Sequence, residues 1–173
     1  MTALHGMGFG ALFLLGLSGA LLELRRQGAP AARDAAWLRV HLAAMAAVGW
    51  ATVLSGAYLV YPWYRAKPPT ATADLSGYPQ RLLLASPQTA GWHSLGMEWK
   101  EHVAWFSPIA ITAVAYVVFR YREAWTERSI RSAALGLTAV AFFAAAVAGL
   151  FGAFLDKVAP VRGGADITLV RGE

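Results

Sequence analysis

The sequence contains no cysteine, and only 14% of its 173 residues are charged. Without a thiol the chain can form no disulfide, iron–sulfur cluster, thiolate zinc site or c-type haem attachment, and it has no cysteine nucleophile. Soluble domains carry about 25% charged residues, whereas hydrophobic residues make up 57% of this chain. A chain with so few charges and so much apolar surface would not stay dispersed in water, so the composition predicts an integral membrane protein.

Four apolar stretches are long enough to cross a hydrocarbon layer of about 30 Å, which takes about 20 helical residues. They cover residues 7–24, 40–61, 103–119 and 133–155. Short loops join the first span to the second and the third to the fourth. We therefore predict an all-α fold, with residues 1–173 forming one membrane domain built as an antiparallel four-helix bundle. The tail 160–173 is expected to be flexible.

The arginines indicate how the bundle is oriented. Eight of them fall in or beside the two short loops: Arg25, Arg26, Arg33, Arg39, Arg120, Arg122, Arg128 and Arg131. By the positive-inside rule these loops face the cytoplasm, so both termini and the loop 62–100 face the other side. The net charge of +5 has the same origin and does not indicate a nucleic-acid partner. The sequence predicts a multi-pass protein of a bacterial cytoplasmic membrane, in contact with the lipid bilayer.

The external loop 62–100 divides into two parts. Its first half is rich in proline and glycine and is expected to be irregular. In the second half, apolar side chains recur at the spacing of a helix face: Trp92, Leu95, Trp99, Val103 and Phe106. The third helix is therefore predicted to begin near residues 89–92, outside the hydrocarbon.

Two of the four histidines, His5 and His102, lie at the outer ends of different spans and are expected at the same depth. Because haem iron is held by axial histidines in many proteins, we predict that they ligate one b-type haem near the non-cytoplasmic surface. Glu98, one helical turn before His102, would accept a hydrogen bond from the ring nitrogen that does not bind iron. Gly8, on the His5 face, would leave room for the porphyrin, and Trp99 would pack on it.

At the level of architecture, four spans with histidines at matching depth resemble the small cytochrome b-type membrane subunits that anchor bacterial redox complexes. The resemblance covers the bundle and the pair His5 and His102. It implies a non-catalytic electron-transfer subunit with haem b as its cofactor. Its partners would be larger redox subunits, and a quinol or a periplasmic electron carrier would exchange electrons with it.

A second interpretation needs no cofactor and treats the chain as a structural or assembly subunit of a larger membrane complex. Small residues, which let helix backbones approach closely in lipid, recur at four-residue spacing in two spans. They are Ala43, Ala47, Ala51 and Ser55 in the second span, and Ala141, Ala145, Gly149 and Ala153 in the fourth. Each series is a predicted packing seam.

A third interpretation is a non-haem site for copper, iron or zinc at the outer surface. The candidate ligands are Glu98, Glu101, His93 and His102. Glu98 and His102, four residues apart, share a helix face and could both bind. On a continuous helix, at about 100° per residue, His93 points away from His102, so a shared ion requires a break in the helix. A second haem would need His41, in the second span, together with Met45 or an outside ligand, and the His41 face is more typical of interhelical hydrogen bonds.

Overall fold

The computed structural model describes residues 1–26, 32–69, 74–121 and 127–158, which form helices and connecting turns without a strand. Four helices in this part of the chain are long and apolar enough to cross a membrane. This confirms the predicted all-α class and supports the assignment as a membrane protein. The tail 160–173, predicted to be flexible, lies outside the described residues.

The four spans and one short helix are numbered here in chain order. They are α1 (Leu4–Arg25), α2 (Ala35–Tyr64, with helical backbone from Ala32), α3 (Pro79–Leu84), α4 (Pro87–Arg120) and α5 (Arg128–Val158). The second half of the external loop is helical, since α4 begins at Pro87. The short helix α3 was not expected from the turn-forming residues around it. It begins at a proline, whose missing N–H is no loss in the first turn of a helix.

Two clusters of buried side chains lie between the spans, and each has members from all four. The first consists of Phe13, Leu17, Met45, Ala110, Ile111 and Ala141. The second lies nearer the end where α1 and α4 finish and consists of Ala20, Leu24, Leu38, Leu42, Val114, Ala115, Val118 and Ala134. In lipid, van der Waals contacts between closely approaching helices hold such an interior together. A Cβ on Gly16 would lie 1.8 Å from Sδ of Met45, so this contact depends on glycine.

Three spans contain a π-helical stretch, in which an extra residue widens the turn. These stretches are Leu4–Gly10 in α1, Gly56–Val60 in α2 and Trp99–Val103 in α4. The stretch in α1 contacts α2 and α5, and the stretch in α4 contacts α5. We call this region, where α1 begins and α2 ends, the polar end of the bundle. Because π-helical turns are frequent at functional sites, the polar end is the leading candidate for a functional site.

The irregular part of α4 lies just before Pro108. Proline has no N–H to offer the carbonyl of Ala104, and that carbonyl accepts a hydrogen bond from the amide of Ser107 instead, at 3.2 Å. One turn earlier, the amide of Ala104 donates to the carbonyl of Trp99 at 3.0 Å. The backbone polar groups around Pro108 are satisfied in this way, and the proline itself is buried.

Candidate functional site

All four spans meet at the polar end of the bundle. Nδ1 of His5 lies 3.1 Å from Oγ of Ser55, and the His5 ring rests on the backbone of Gly56, where a Cβ would come within 2.7 Å of Cε1. From α4, the ammonium of Lys100 reaches α5, where a Cβ on Gly152 would lie 3.1 Å from Nζ. Two glycines thus leave the space that the two basic side chains fill.

The hydrogen bonds around His5 favour a proton on Nδ1. Oγ of Ser55 donates its single proton to the carbonyl of Thr52, at 3.0 Å. The hydroxyl can therefore only accept from His5, so Nδ1 is the protonated nitrogen and Nε2 keeps its lone pair. A neutral imidazole of this kind can bind a metal through Nε2.

His102 also carries a proton on Nδ1 but has a different position. Its Nδ1 lies 3.1 Å from the backbone carbonyl of Glu98 and 3.3 Å from the Glu98 carboxylate. A carbonyl can only accept, so Nδ1 donates to it. The structure therefore brings His102 and Glu98 together, at the surface of the chain, where their side chains are 69% and 73% exposed.

His5 and His102 have different partners and surroundings. His5 bonds α2, whereas His102 bonds only its own helix among the contacts described above. Lys100, two residues before His102, reaches α5 with its ammonium group. Residues two apart on a helix point in roughly opposite directions, so a Lys100 directed inward leaves His102 outside.

The two residues expected to surround the porphyrin make other contacts. Nε1 of Trp99 donates to the carbonyl of Ala144 in α5, at 3.1 Å, and the indole contacts Phe143 edge-on. Trp99 therefore binds α4 to α5. Gly8 is exposed, and the nearest atom to a Cβ placed there is Cδ1 of Leu4 of the same helix, at 3.3 Å.

His93 faces the interior and bonds the phenol of Tyr64 through Nδ1, with the two rings stacked at 5.7 Å between centroids. Beside this pair, the Tyr61 hydroxyl donates to the Glu101 carboxylate at 3.0 Å. The Arg65 guanidinium lies 3.6 Å from the same carboxylate oxygen and 4.9 Å above the Tyr61 ring centroid. Sequence reasoning missed this network, although the run Tyr61-Pro62-Trp63-Tyr64-Arg65 is an unusual concentration of aromatic and basic residues at a span end.

His41 lies away from the polar end and also joins two spans. Its Nε2 lies 2.8 Å from the carbonyl of Gly16 and must donate to it. Its ring packs on Trp37 at 5.7 Å between centroids. His41 thus links α2 to α1, which is the interhelical role that its helix face indicates.

Among the described residues, which include all four histidines, no group of three histidine or acidic side chains is placed to hold a metal ion. The geometry thus gives no support to a metal site built from His93, Glu98 and His102. No protein-family model matches this chain, and no curated protein or solved structure gives a significant match. Its function is therefore argued from the geometry of these residues.

Proposed function

We propose that the protein is a non-catalytic subunit of a larger membrane complex, in which its four spans serve as a packing and assembly element. One observation carries the proposal: His5, His41 and His93 each hydrogen-bond a neighbouring span. Polar side chains commonly link helices in this way within a bilayer. Three of the four histidines therefore have a structural explanation that requires no cofactor.

The proposal includes an antiparallel bundle with both termini on the non-cytoplasmic side of a bacterial inner membrane. Support comes from the order of contacts between α1 and α5. Gly149 lies near Leu14 at 3.8 Å, while Leu135, earlier in α5, lines a groove with Leu21, later in α1. This is the order expected of antiparallel neighbours. The arginine-rich ends of α1, α4 and α5 then fall on the side that the positive-inside rule assigns to the cytoplasm.

A second candidate is an electron-transfer subunit with one haem b, and the contacts of Nδ1 in His5 and His102 favour it. Each ring gives the Nδ1 proton to an oxygen and leaves Nε2 as the donor atom, as in histidines that bind metals. Because His102 is mostly exposed, a site shared with His5 requires the outer part of α4 to turn inward. Such a haem would exchange electrons with a larger redox subunit, a quinol or a periplasmic carrier.

Purification of the tagged full chain in mild detergent, from the membrane in which it is made, separates the candidates. The packing subunit predicts a colourless preparation in which the chain keeps a fixed molar ratio to larger membrane proteins. A chain that is monomeric both by native mass spectrometry and by cross-linking in intact membranes contradicts it. The haem subunit instead predicts a Soret band that is lost in His5→Ala and in His102→Ala and retained in the control His41→Ala.

A further inference from the structure

A groove lies between α1 and α5, near the end of α1. It is lined by Ser18, Leu21, Leu22 and Arg25 of α1 and by Leu135 of α5. Its volume of about 370 Å³ is within the range of about 300–1,000 Å³ that is usual for small-molecule sites. The Ser18 hydroxyl donates to the carbonyl of Leu14 at 2.9 Å, so its proton is not available to a ligand. The groove is therefore aliphatic, with one cationic group, Arg25.

Arg25 and its neighbour Arg26 differ in their ion pairing. Arg26 forms an ion pair with Glu23 at 3.1 Å. Arg25 is exposed and makes no ion pair with any of the described residues. On α5, Arg131 and Arg128 precede Leu135 by about one and two helical turns and so share its side of the helix. A ligand in the groove would meet positive charge at this end and aliphatic side chains along its length.

We propose that this groove binds an anionic phospholipid, with the phosphate on Arg25 and an acyl chain against Leu21, Leu22 and Leu135. The occupant must be apolar along most of its length and negative at one end. Lipids surround a groove on the surface of membrane spans, and basic residues near the membrane surface attract anionic headgroups. A zwitterionic lipid brings its own cation to the phosphate and therefore gains less from Arg25.

Lipid binding to the purified full chain tests this site. The delipidated protein in detergent is titrated with phosphatidylglycerol or phosphatidylcholine, and bound lipids are counted by native mass spectrometry. The wild type is expected to prefer phosphatidylglycerol. Because one basic residue near the surface contributes about 1 kcal/mol, Arg25→Gln should weaken phosphatidylglycerol binding about fivefold and leave phosphatidylcholine binding unchanged.

Arg26→Gln is the matched control, because it removes the same charge from the adjacent residue outside the groove. It should change phosphatidylglycerol binding by less than about twofold. Equal losses in the two variants would assign the effect to general surface charge and overturn the site, as would equal binding of the two lipids by the wild type.

A third variant and a short ligand test the acyl part of the proposal. Leu135→Trp, which fills the groove, should weaken binding of both lipids, and glycerophosphate without acyl chains should not compete with phosphatidylglycerol. Competition by glycerophosphate, or undiminished lipid binding by a folded Leu135→Trp variant, contradicts a lipid site. If Leu135→Trp does not give a monodisperse, helical protein, Leu22→Trp, at an exposed position of the same groove, replaces it with the same expectation.

Discussion

The imidazole of His5 packs directly on the backbone of Gly56, at the junction of the regular and π-helical parts of α2. A single methyl group at Gly56 would lie 2.7 Å from Cε1 and 3.2 Å from Nε2 of the ring. The ring also bonds Ser55, the preceding residue. The position of His5 is therefore fixed by two consecutive residues of another span.

Gly56→Ala is expected to destabilise the protein by about 1–3 kcal/mol, because the added methyl group overlaps the ring and the packed side chain must move. The measurement is reversible unfolding in detergent. Gly136→Ala is the control, since a Cβ at Gly136 in α5 meets no atom within 4 Å. That variant should be neutral or slightly stabilised, as alanine is the better helix former.

The double variant His5→Ala, Gly56→Ala shows whether the overlap is the cause. Once the ring is gone the methyl group has space, so Gly56→Ala should have little further effect in the His5→Ala background. If its effect is the same in both backgrounds, the His5 contact is not the reason that glycine is needed here.

Leu17→Ala should destabilise the bundle by about 2 kcal/mol, the lower end of the range for Leu→Ala in soluble cores. When the helices separate in lipid, their side chains stay in an apolar medium. The variant therefore loses packing contacts only, and the free energy of transfer from water does not contribute to its cost. Leu15→Ala in the same helix is the control. Leu17 is 0% and Leu15 72% exposed, so Leu15→Ala should change unfolding by less than about 0.5 kcal/mol. Equal effects of the two variants would mean that α1 packs on another face.

Ser107→Ala tests a hydrogen bond between α4 and α5. The buried Ser107 hydroxyl donates to the carbonyl of Ala141 at 2.8 Å. Hydrogen bonds between membrane helices contribute about 0.6 kcal/mol on average, and we expect a loss of that size in an unfolding titration. Ser129→Ala, at an exposed position of α5, serves as the control. A loss above about 2 kcal/mol would indicate that Ser107 does more than join the two helices.

The four spans could be predicted from composition and length because the bilayer imposes both. The face of each span that turns toward the interior of the bundle could not be predicted. Of the five residues in the predicted apolar stripe of α4, Trp92, Leu95 and Phe106 are exposed, whereas His93 and Ser107, outside the stripe, are buried. His93 and Ser107 find hydrogen-bond partners inside the bundle, as polar residues commonly do between membrane helices.

Of the two predicted packing seams, the one in α5 lies at helix contacts, since Ala141 is buried and Gly149 lies near Leu14, whereas the one in α2 shows the same limitation. Ala43 and Ala47, the first two residues of the α2 seam, are exposed, and α2 packs instead through Leu38, Leu42 and Met45. A four-residue spacing defines a helix face but not the partner that covers it. Placement of His102 beside Glu98 followed from helix geometry alone, whereas the contact of Lys100 with α5 at Gly152 was not indicated by the sequence.

Tyr64→Phe should destabilise the protein by about 1–3 kcal/mol, since it leaves the buried Nδ1 of His93 without its partner. The ring, its stacking on His93 and its packing with Leu83 and Met97 remain, so the change isolates the hydroxyl. Tyr58→Phe removes the same group from an exposed position of the same helix and should be nearly neutral. Hydrogen exchange of α3 offers a second measurement, because Leu83 packs in the same cluster and should become less protected when Tyr64 loosens. If both variants are as stable as the wild type, the His93 bond does not hold α2 against α4.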